Sequence, residues 1–296
     1  KFYNFSASGG ISYHPVSFLT LKGNVSRGFR APTLTELASN GAHEGTVRFE
    51  YGQRDLKSEK SFQVDAGVDV DYEHFNFSLS AFYNRITDYI FYRRLESAAG
   101  GDSLIIDGSE TFEAFQYNQN NATLSGFELQ FDFHPHPLDW LHFENTISFV
   151  RGTFSDKLDG SNSLPQIPHS RWISELRGDF LKKGKALRNF YVMVETNAAF
   201  AQNRPFFGFN TETATPDYVL LNAGIGTDLV TANGTTWASV HFSANNITDK
   251  AYQDHLNRLK YTDVNAATGR QGVFNMGRNF SVKLNIPFSF KNPQTP

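Results

Sequence analysis

Two short stretches carry side chains with the types and spacing for ligand chemistry. His43 and Glu44 are adjacent within Ser39-Asn40-Gly41-Ala42-His43-Glu44-Gly45-Thr46, and Asp254, His255 and Arg258 form a second group. Imidazole nitrogen and carboxylate oxygen suit zinc or iron, and a guanidinium can hold a carboxylate of an organic chelate. His43 and Glu44 are therefore the candidate metal ligands, with Asp254, His255 and Arg258 as further candidates for ligand binding. A third set, Asp65, Asp69, Glu128, Asp132, Glu144, Glu175 and Glu195, could be read as acids and bases. These residues fall on the polar face of alternating segments, where a wet or plugged interior accounts for them without a reaction. Glu175, Arg177 and Asp179 alternate on one such face and read as a wall network, so no catalytic residue is assigned.

The remaining signals narrow the chemistry further. His14, His74, His134 and His136 fall in short turns, where a polar turn role suffices. His43, His169 and His255 fall in long connections, and binding residues concentrate on loops carried by a rigid scaffold. Gly224-Ile225-Gly226 lies within a strand pattern with no helix after it, which excludes a dinucleotide loop. The chain has no Cys, so disulfides, thiolate metal sites and cysteine nucleophiles are excluded. A net charge of −3 gives no reason to expect nucleic acid. No enzyme activity and no resident cofactor are expected.

The elements that must position these residues are strands. From Phe62 to Tyr72 one face reads Phe62, Val64, Ala66, Val68, Val70, Tyr72 and the other Gln63, Asp65, Gly67, Asp69, Asp71. Phe280, Val282, Leu284, Ile286 and Phe288 likewise alternate with Ser281, Lys283, Asn285, Pro287 and Ser289. Similar period-two patterns run through Phe75 to Leu79 and Phe127 to Phe133, and weaker ones recur along the chain. Aromatic residues reach 15% while mean hydropathy is only −0.41, as when one face of every strand meets lipid and the other water. No apolar run approaches the roughly 18 residues a spanning helix needs. The apolar face, with Phe62, Val64, Val68, Phe280, Val282 and Leu284, is expected to meet lipid. Asp65, Asp69, Ser281, Lys283, Arg30, Glu128, Glu175 and Arg177 are expected to face the lumen or a plug.

Connection lengths alternate. Short ones are expected at His14-Pro15, Tyr72-Glu73-His74, residues 134–137, 182–185 and 231–234, and long ones at 30–59, 93–110, 156–170, 203–216 and 249–276. Short turns at one rim and long loops at the other are the asymmetry of an outer-membrane barrel. About eleven strands are expected, whereas single-chain bacterial barrels have an even number. Residues 1–290 are thus expected to be part of an all-β, antiparallel transmembrane barrel, with at least one strand before Lys1 and a short polar tail at 291–296.

Several boxes in this order resemble the TonB-dependent outer-membrane receptors. They are Ser26-Arg27-Gly28-Phe29-Arg30-Ala31-Pro32-Thr33 with Glu36-Leu37, Asp55-Leu56-Lys57-Ser58-Glu59, Ser125-Gly126-Phe127-Glu128-Leu129, Asn245-Asn246-Ile247-Thr248-Asp249-Lys250-Ala251-Tyr252, and Gly277-Arg278-Asn279-Phe280 leading to Phe290. Gln53-Arg54 and Ser58 depart from the family pattern at the second box. The resemblance implies the second half of a barrel of about 22 strands. It also implies a plug, a preceding barrel half and a segment contacting the TonB complex, in the same or another chain. The expected partners are outer-membrane lipid and a small nutrient ligand, captured by the long loops and imported with TonB-derived energy across the bacterial outer membrane. A ferric siderophore, haem or another metal complex is favoured, because the 39–46 stretch resembles a loop of some metal and haem receptors. The alternative is a passive porin or an adhesin barrel, which would share the alternation without the boxes.

Overall fold

The computed structural model describes residues 4–43, 48–101 and 103–288. In chain order its elements are β1 (Ala7–Val16), β2 (Leu19–Arg30), the short helix α1 (Leu34–Ala38), β3 (Asn40–His43), β4 (Arg48–Tyr51), β5 (Glu59–Tyr72), β6 (Phe75–Arg94), β7 (Leu104–Asp107), β8 (Glu110–Phe133), β9 (Leu141–Leu158), β10 (Ser161–Ser163), β11 (Arg171–Phe180), β12 (Leu187–Ala199), β13 (Tyr218–Val230), β14 (Thr236–Asn245) and β15 (Asn279–Asn285). Eleven of the described strands form one antiparallel wall in the order β1-β2-β5-β6-β8-β9-β11-β12-β13-β14-β15. The count matches the sequence expectation. Four short strands, β3, β4, β7 and β10, sit off this path within the long connections.

The two faces of the wall separate as the alternation requires. Phe62, Val64, Phe280, Val282 and Leu284 are exposed. Cross-strand pairing strings such residues into bands, for example Val192–Ile225–Phe242–Val282 across β12 to β15. A band this apolar and this open is a lipid-facing surface. On the other face polar groups bond one another: Asn24 donates to Asp65 at 3.1 Å, Ser78 donates to Asp69 at 2.7 Å, and Ser243 and Ser281 share a bond of 2.6 Å. Register also places Asp132, Glu144, Glu175 and Glu195 side by side on β8, β9, β11 and β12. Like charges directly opposite destabilise a sheet, so this row needs water or a complementary filling in the lumen. Glu128 accepts from Gln130 at 2.5 Å, and Arg177 reaches Asp179 at 3.0 Å, both along their own strands.

Aromatic residues mark the short-turn rim. Phe18 packs edge-on against Tyr72 at 5.5 Å, and Trp140 and Phe180 lie 5.1 Å apart. The first turn differs from expectation. β1 continues through His14-Pro15 and turns at Ser17 and Phe18, with a register irregularity between Tyr13 and Val16. Proline cannot donate to a ladder and is tolerated at such an irregularity, so it bends the strand here rather than ending it. Among the described residues β1 and β15 do not pair with each other. Glu44, Ser289, Phe290 and the expected tail at 291–296 lie outside the described residues.

Candidate functional site

The boxes 26–37 and 55–59 meet in space. Thr33 caps α1 reciprocally: its hydroxyl accepts from the Glu36 amide at 3.2 Å, and the Glu36 carboxylate accepts from the Thr33 amide at 2.7 Å. Arg30, at the end of β2, donates to Glu36 at 2.8 and 2.9 Å and to both oxygens of Glu59 at 2.8 Å. Glu59 also accepts the Ile90 amide at 2.6 Å, tying β6 to the same knot. The Arg30 pKa is raised, first by its hydrogen bond to Glu59, yet Arg30 is a cation at any ordinary pH, so its role is to fix where α1 leaves the wall. Arg30, expected toward the lumen or plug, sits at the long-loop end of β2, held between two carboxylates.

Above the wall, parts of the long connections pack on one another and on the strand ends. β6 makes a positive-φ kink at Asp88, beyond which Tyr89-Ile90-Phe91-Tyr92 no longer alternates with polar residues. Phe91 and Phe206 both pack on Phe154, at 4.8 and 5.8 Å, with Ala122 and Leu164 completing a buried cluster. On this floor sits a hollow of about 460 Å³ bordered by Glu36, Arg48, Tyr89, Tyr92, Tyr117, Phe206, Glu212 and Arg258, among others. Four of the five long connections supply part of its lining.

Its charge balance favours an anion. Glu36 is taken by Arg30, and Glu212 accepts the Gln166 and Phe206 amides at 2.6 and 3.2 Å. Arg48 stacks over Tyr92 at 4.8 Å and Phe115 at 4.3 Å, and its Nη1 is buried without a hydrogen-bond partner. Arg258 donates to the Tyr92 hydroxyl at 2.9 Å and the Gln166 side chain at 3.3 Å while remaining exposed. The arrangement is two guanidiniums set among aromatic faces, suited to a flat or aromatic anion.

Of the candidate ligand residues that are described, Arg258 borders this hollow, as does Glu36 of the first family box. His43 pairs with Arg48 across the β3–β4 ladder, so it neighbours the site through the backbone. Asp254 accepts the Tyr218 hydroxyl at 2.9 Å and the Leu256 amide at 2.9 Å, and lies 3.4 Å from Arg171. Burial pushes its carboxyl up, but the Leu256 amide, Tyr218, His169 and Arg171 together hold it below the usual value. His255 is 4% exposed. Its amide donates to His169 Nε2 at 3.0 Å, and its Nδ1 meets Thr215 at 2.9 Å. Asp254 and His255 therefore anchor the last long loop. Arg48, Tyr89, Tyr92, Tyr117 and Phe206 were missed from sequence. The apolar run on both faces at 89–92 was the available signal, since a strand with lipid on one side only would have kept its alternation.

An antiparallel wall with a lipid-facing apolar band, a polar inner face, short turns at one rim and folded loops at the other defines an outer-membrane β-barrel protein. The chain belongs to the TonB-dependent receptors: the family described as TonB dependent receptor-like, beta-barrel, matches residues 1–247. Similar solved structures include the copper transporter OprC, with a TM-score of 0.72 and 18% identity over 96% of this chain and 39% of that chain. The siderophore receptor PirA from Acinetobacter baumannii gives 0.63 and 18%, over 96% of this chain and 41% of that one. The FrpB iron transporter from Neisseria meningitidis (F3-3 variant) gives 0.64 and 13%, over 95% and 38%. At these identities the likeness shows the fold. The chain spans about two fifths of the length of these proteins. Members of the family are outer-membrane transporters rather than enzymes.

Proposed function

We propose that this chain supplies the C-terminal barrel half of a receptor that captures an anionic metal chelate, of the ferric siderophore or haem type, and imports it with TonB-derived energy. The observation that carries the reading is the buried, unpartnered Arg48 Nη1 on the border of the long-loop hollow. An unsatisfied buried donor costs about 1–3 kcal/mol, which an incoming carboxylate, catecholate or propionate oxygen recovers on binding. Tyr89, Tyr92, Tyr117 and Phe206 provide the apolar faces for the organic part, and the volume falls within the range typical of small-molecule sites. The structurally similar proteins are named for copper, siderophore and iron transport, which supports a metal-containing cargo. His43, Asp254 and His255 then shape and carry the loops around this hollow, and a direct metal contact by His43 and Glu44 as cargo enters belongs to the same reading.

The test is uptake of radioactive iron as a panel of ferric chelates and haem by cells carrying the full receptor. Arg48→Ala with Arg258→Ala should lower affinity for the accepted cargo about 100-fold, taking two charge-assisted contacts of roughly 1.5 kcal/mol each. A protonophore should abolish uptake while leaving binding intact. Uptake that persists without the proton gradient, and is indifferent to both arginines, would instead mark a passive pore.

A further inference from the structure

At the rim opposite the hollow, four histidines crowd together around the β5–β6 and β8–β9 turns. His74 and His134 rings lie 5.6 Å apart, His74 and His136 stack at 5.6 Å, and His134 and His142 are 5.4 Å apart. Polar turn positions need no such convergence.

The proton positions make the cluster informative. His134 Nε2 lies 2.8 Å from the Glu73 carbonyl oxygen. A carbonyl can only accept, so that nitrogen carries the proton, and the neutral ring presents a bare lone pair at Nδ1. This Nδ1 is buried without a hydrogen-bond partner and lies 3.5 Å from Asp132 Oδ2, another acceptor. The same Oδ2 is 3.5 Å from His142 Nδ1, and His142 turns its Nε2 toward Asp179 at 3.7 Å. Asp132 Oδ1 is also buried and unpartnered. His142 Nδ1 and Asp132 Oδ2 share a long hydrogen bond of 3.5 Å when that nitrogen carries the proton, and with Nδ1 bare on both rings the electron pairs of three side chains converge.

We infer that Asp132, His134 and His142 form a binding site for a divalent transition metal at the periplasmic rim of the lumen. Ligand atoms held about 2.1 Å from one tetrahedral ion stand about 3.4 Å apart, and the two contacts of 3.5 Å fit that edge. All three ligand atoms lie within 4.8 Å of one another. The Glu73 carbonyl fixes the His134 ring from behind, as a carbonyl commonly does for a metal-bound imidazole, and Asp179 lies on the far side of the His142 ring. Imidazole with carboxylate selects zinc, nickel or copper(II), and the absence of thiolate disfavours copper(I). Three protein ligands leave a fourth position for water or a passing donor, so the ion exchanges readily. His74, His136 and Asp139, also within 4.8 Å of one another, form a more exposed set beside it. On the import reading proposed above, this is where cargo leaves the lumen, which makes the site a transit point for a metal.

The experiment uses the full receptor in detergent, stripped with a chelator and titrated calorimetrically with Zn²⁺, with Co²⁺ absorption as a second readout. One zinc per molecule is expected, with an intense tetrahedral cobalt spectrum. His134→Ala and His142→Ala should each weaken binding at least 10-fold, and Arg48→Ala should leave it unchanged. Folding of each variant is checked by its unheated gel mobility, and the cobalt spectrum of the unaltered protein tests the site if a variant does not assemble. No saturable binding, a weak octahedral cobalt band, or loss confined to His136→Ala overturns the assignment. Failure of chelate uptake with intact zinc binding would reject the import reading and leave this site standing.

Discussion

Arg30 and Glu59 form a two-point pair, Nε and Nη2 each 2.8 Å from a carboxylate oxygen, and through it the end of β2 is fastened to the start of β5. Residues 31–58 therefore leave and rejoin the wall at a fixed point, with α1 held by the same guanidinium through Glu36. Arg30→Ala would leave Glu59, whose side chain is 13% exposed, with a buried charge lacking its partner. Because Arg30 itself is 42% exposed, solvent screening limits the loss to about 1–2 kcal/mol. The expected outcome is faster proteolysis within 31–58 with little change in barrel assembly. Cleavage at the unaltered rate would show that the loop is held by other contacts.

Gly126 belongs to a box whose glycine has a direct steric reason. A Cβ there would stand 2.4 Å from the Phe149 carbonyl oxygen and 2.8 Å from the Phe82 ring, which lies over the glycine. Gly126→Val should cost about 1–3 kcal/mol by forcing ring and strand apart. Thermal loss of folded gel mobility at lower temperature is the readout, and Phe82→Ala in the same background should restore part of the difference.

The face assignment can be tested at adjacent positions. Val194 is 47% exposed opposite Leu176, whereas Glu195 bonds the Asn222 side chain at 2.6 Å on the inner face. Val194→Lys should cost about 2–4 kcal/mol in lipid, falling toward the interfaces. Glu195→Lys should be tolerated or stabilising, since it breaks the carboxylate row. Equal folding of both variants in vesicles would invert the assignment.

Acid should loosen the last long loop in two stages. Burial holds the His169 imidazole below its usual value. As a neutral ring it donates Nδ1–H to the Phe200 carbonyl at 2.6 Å and accepts the His255 amide at Nε2. A depressed histidine contributes stability that is complete above its unfolded value, near 6.5, and lost as pH falls through the folded value. Asp254, also depressed, contributes stability present above about 3.8 and lost below it. Hydrogen exchange of residues 250–262 should therefore quicken first as pH falls below about 6.5 and again below about 3.8. His169→Gln should remove the first step alone.

The wall was legible in the sequence because lipid on one side and water on the other impose a period of two, residue by residue. Phe62, Asp65, Val64 and Asp69 could be assigned to faces without any knowledge of their partners, and the alternation of short and long connections gave the eleven strands. The family boxes were also visible, but not what they do: Asn246, in a positive-φ conformation, closes the turn by pairing its side chain with both the amide and the carbonyl of Lys250 at 2.9 Å. The ligand hollow and the rim histidines were decided only by tertiary structure. Arg48 and Arg258 both meet Tyr92, the latter across 166 positions, and His74 meets His134 because antiparallel pairing of β6 with β8 returns the chain to the same rim. No local periodicity records such a meeting, since it depends on how whole strands stagger and how loops pack above them.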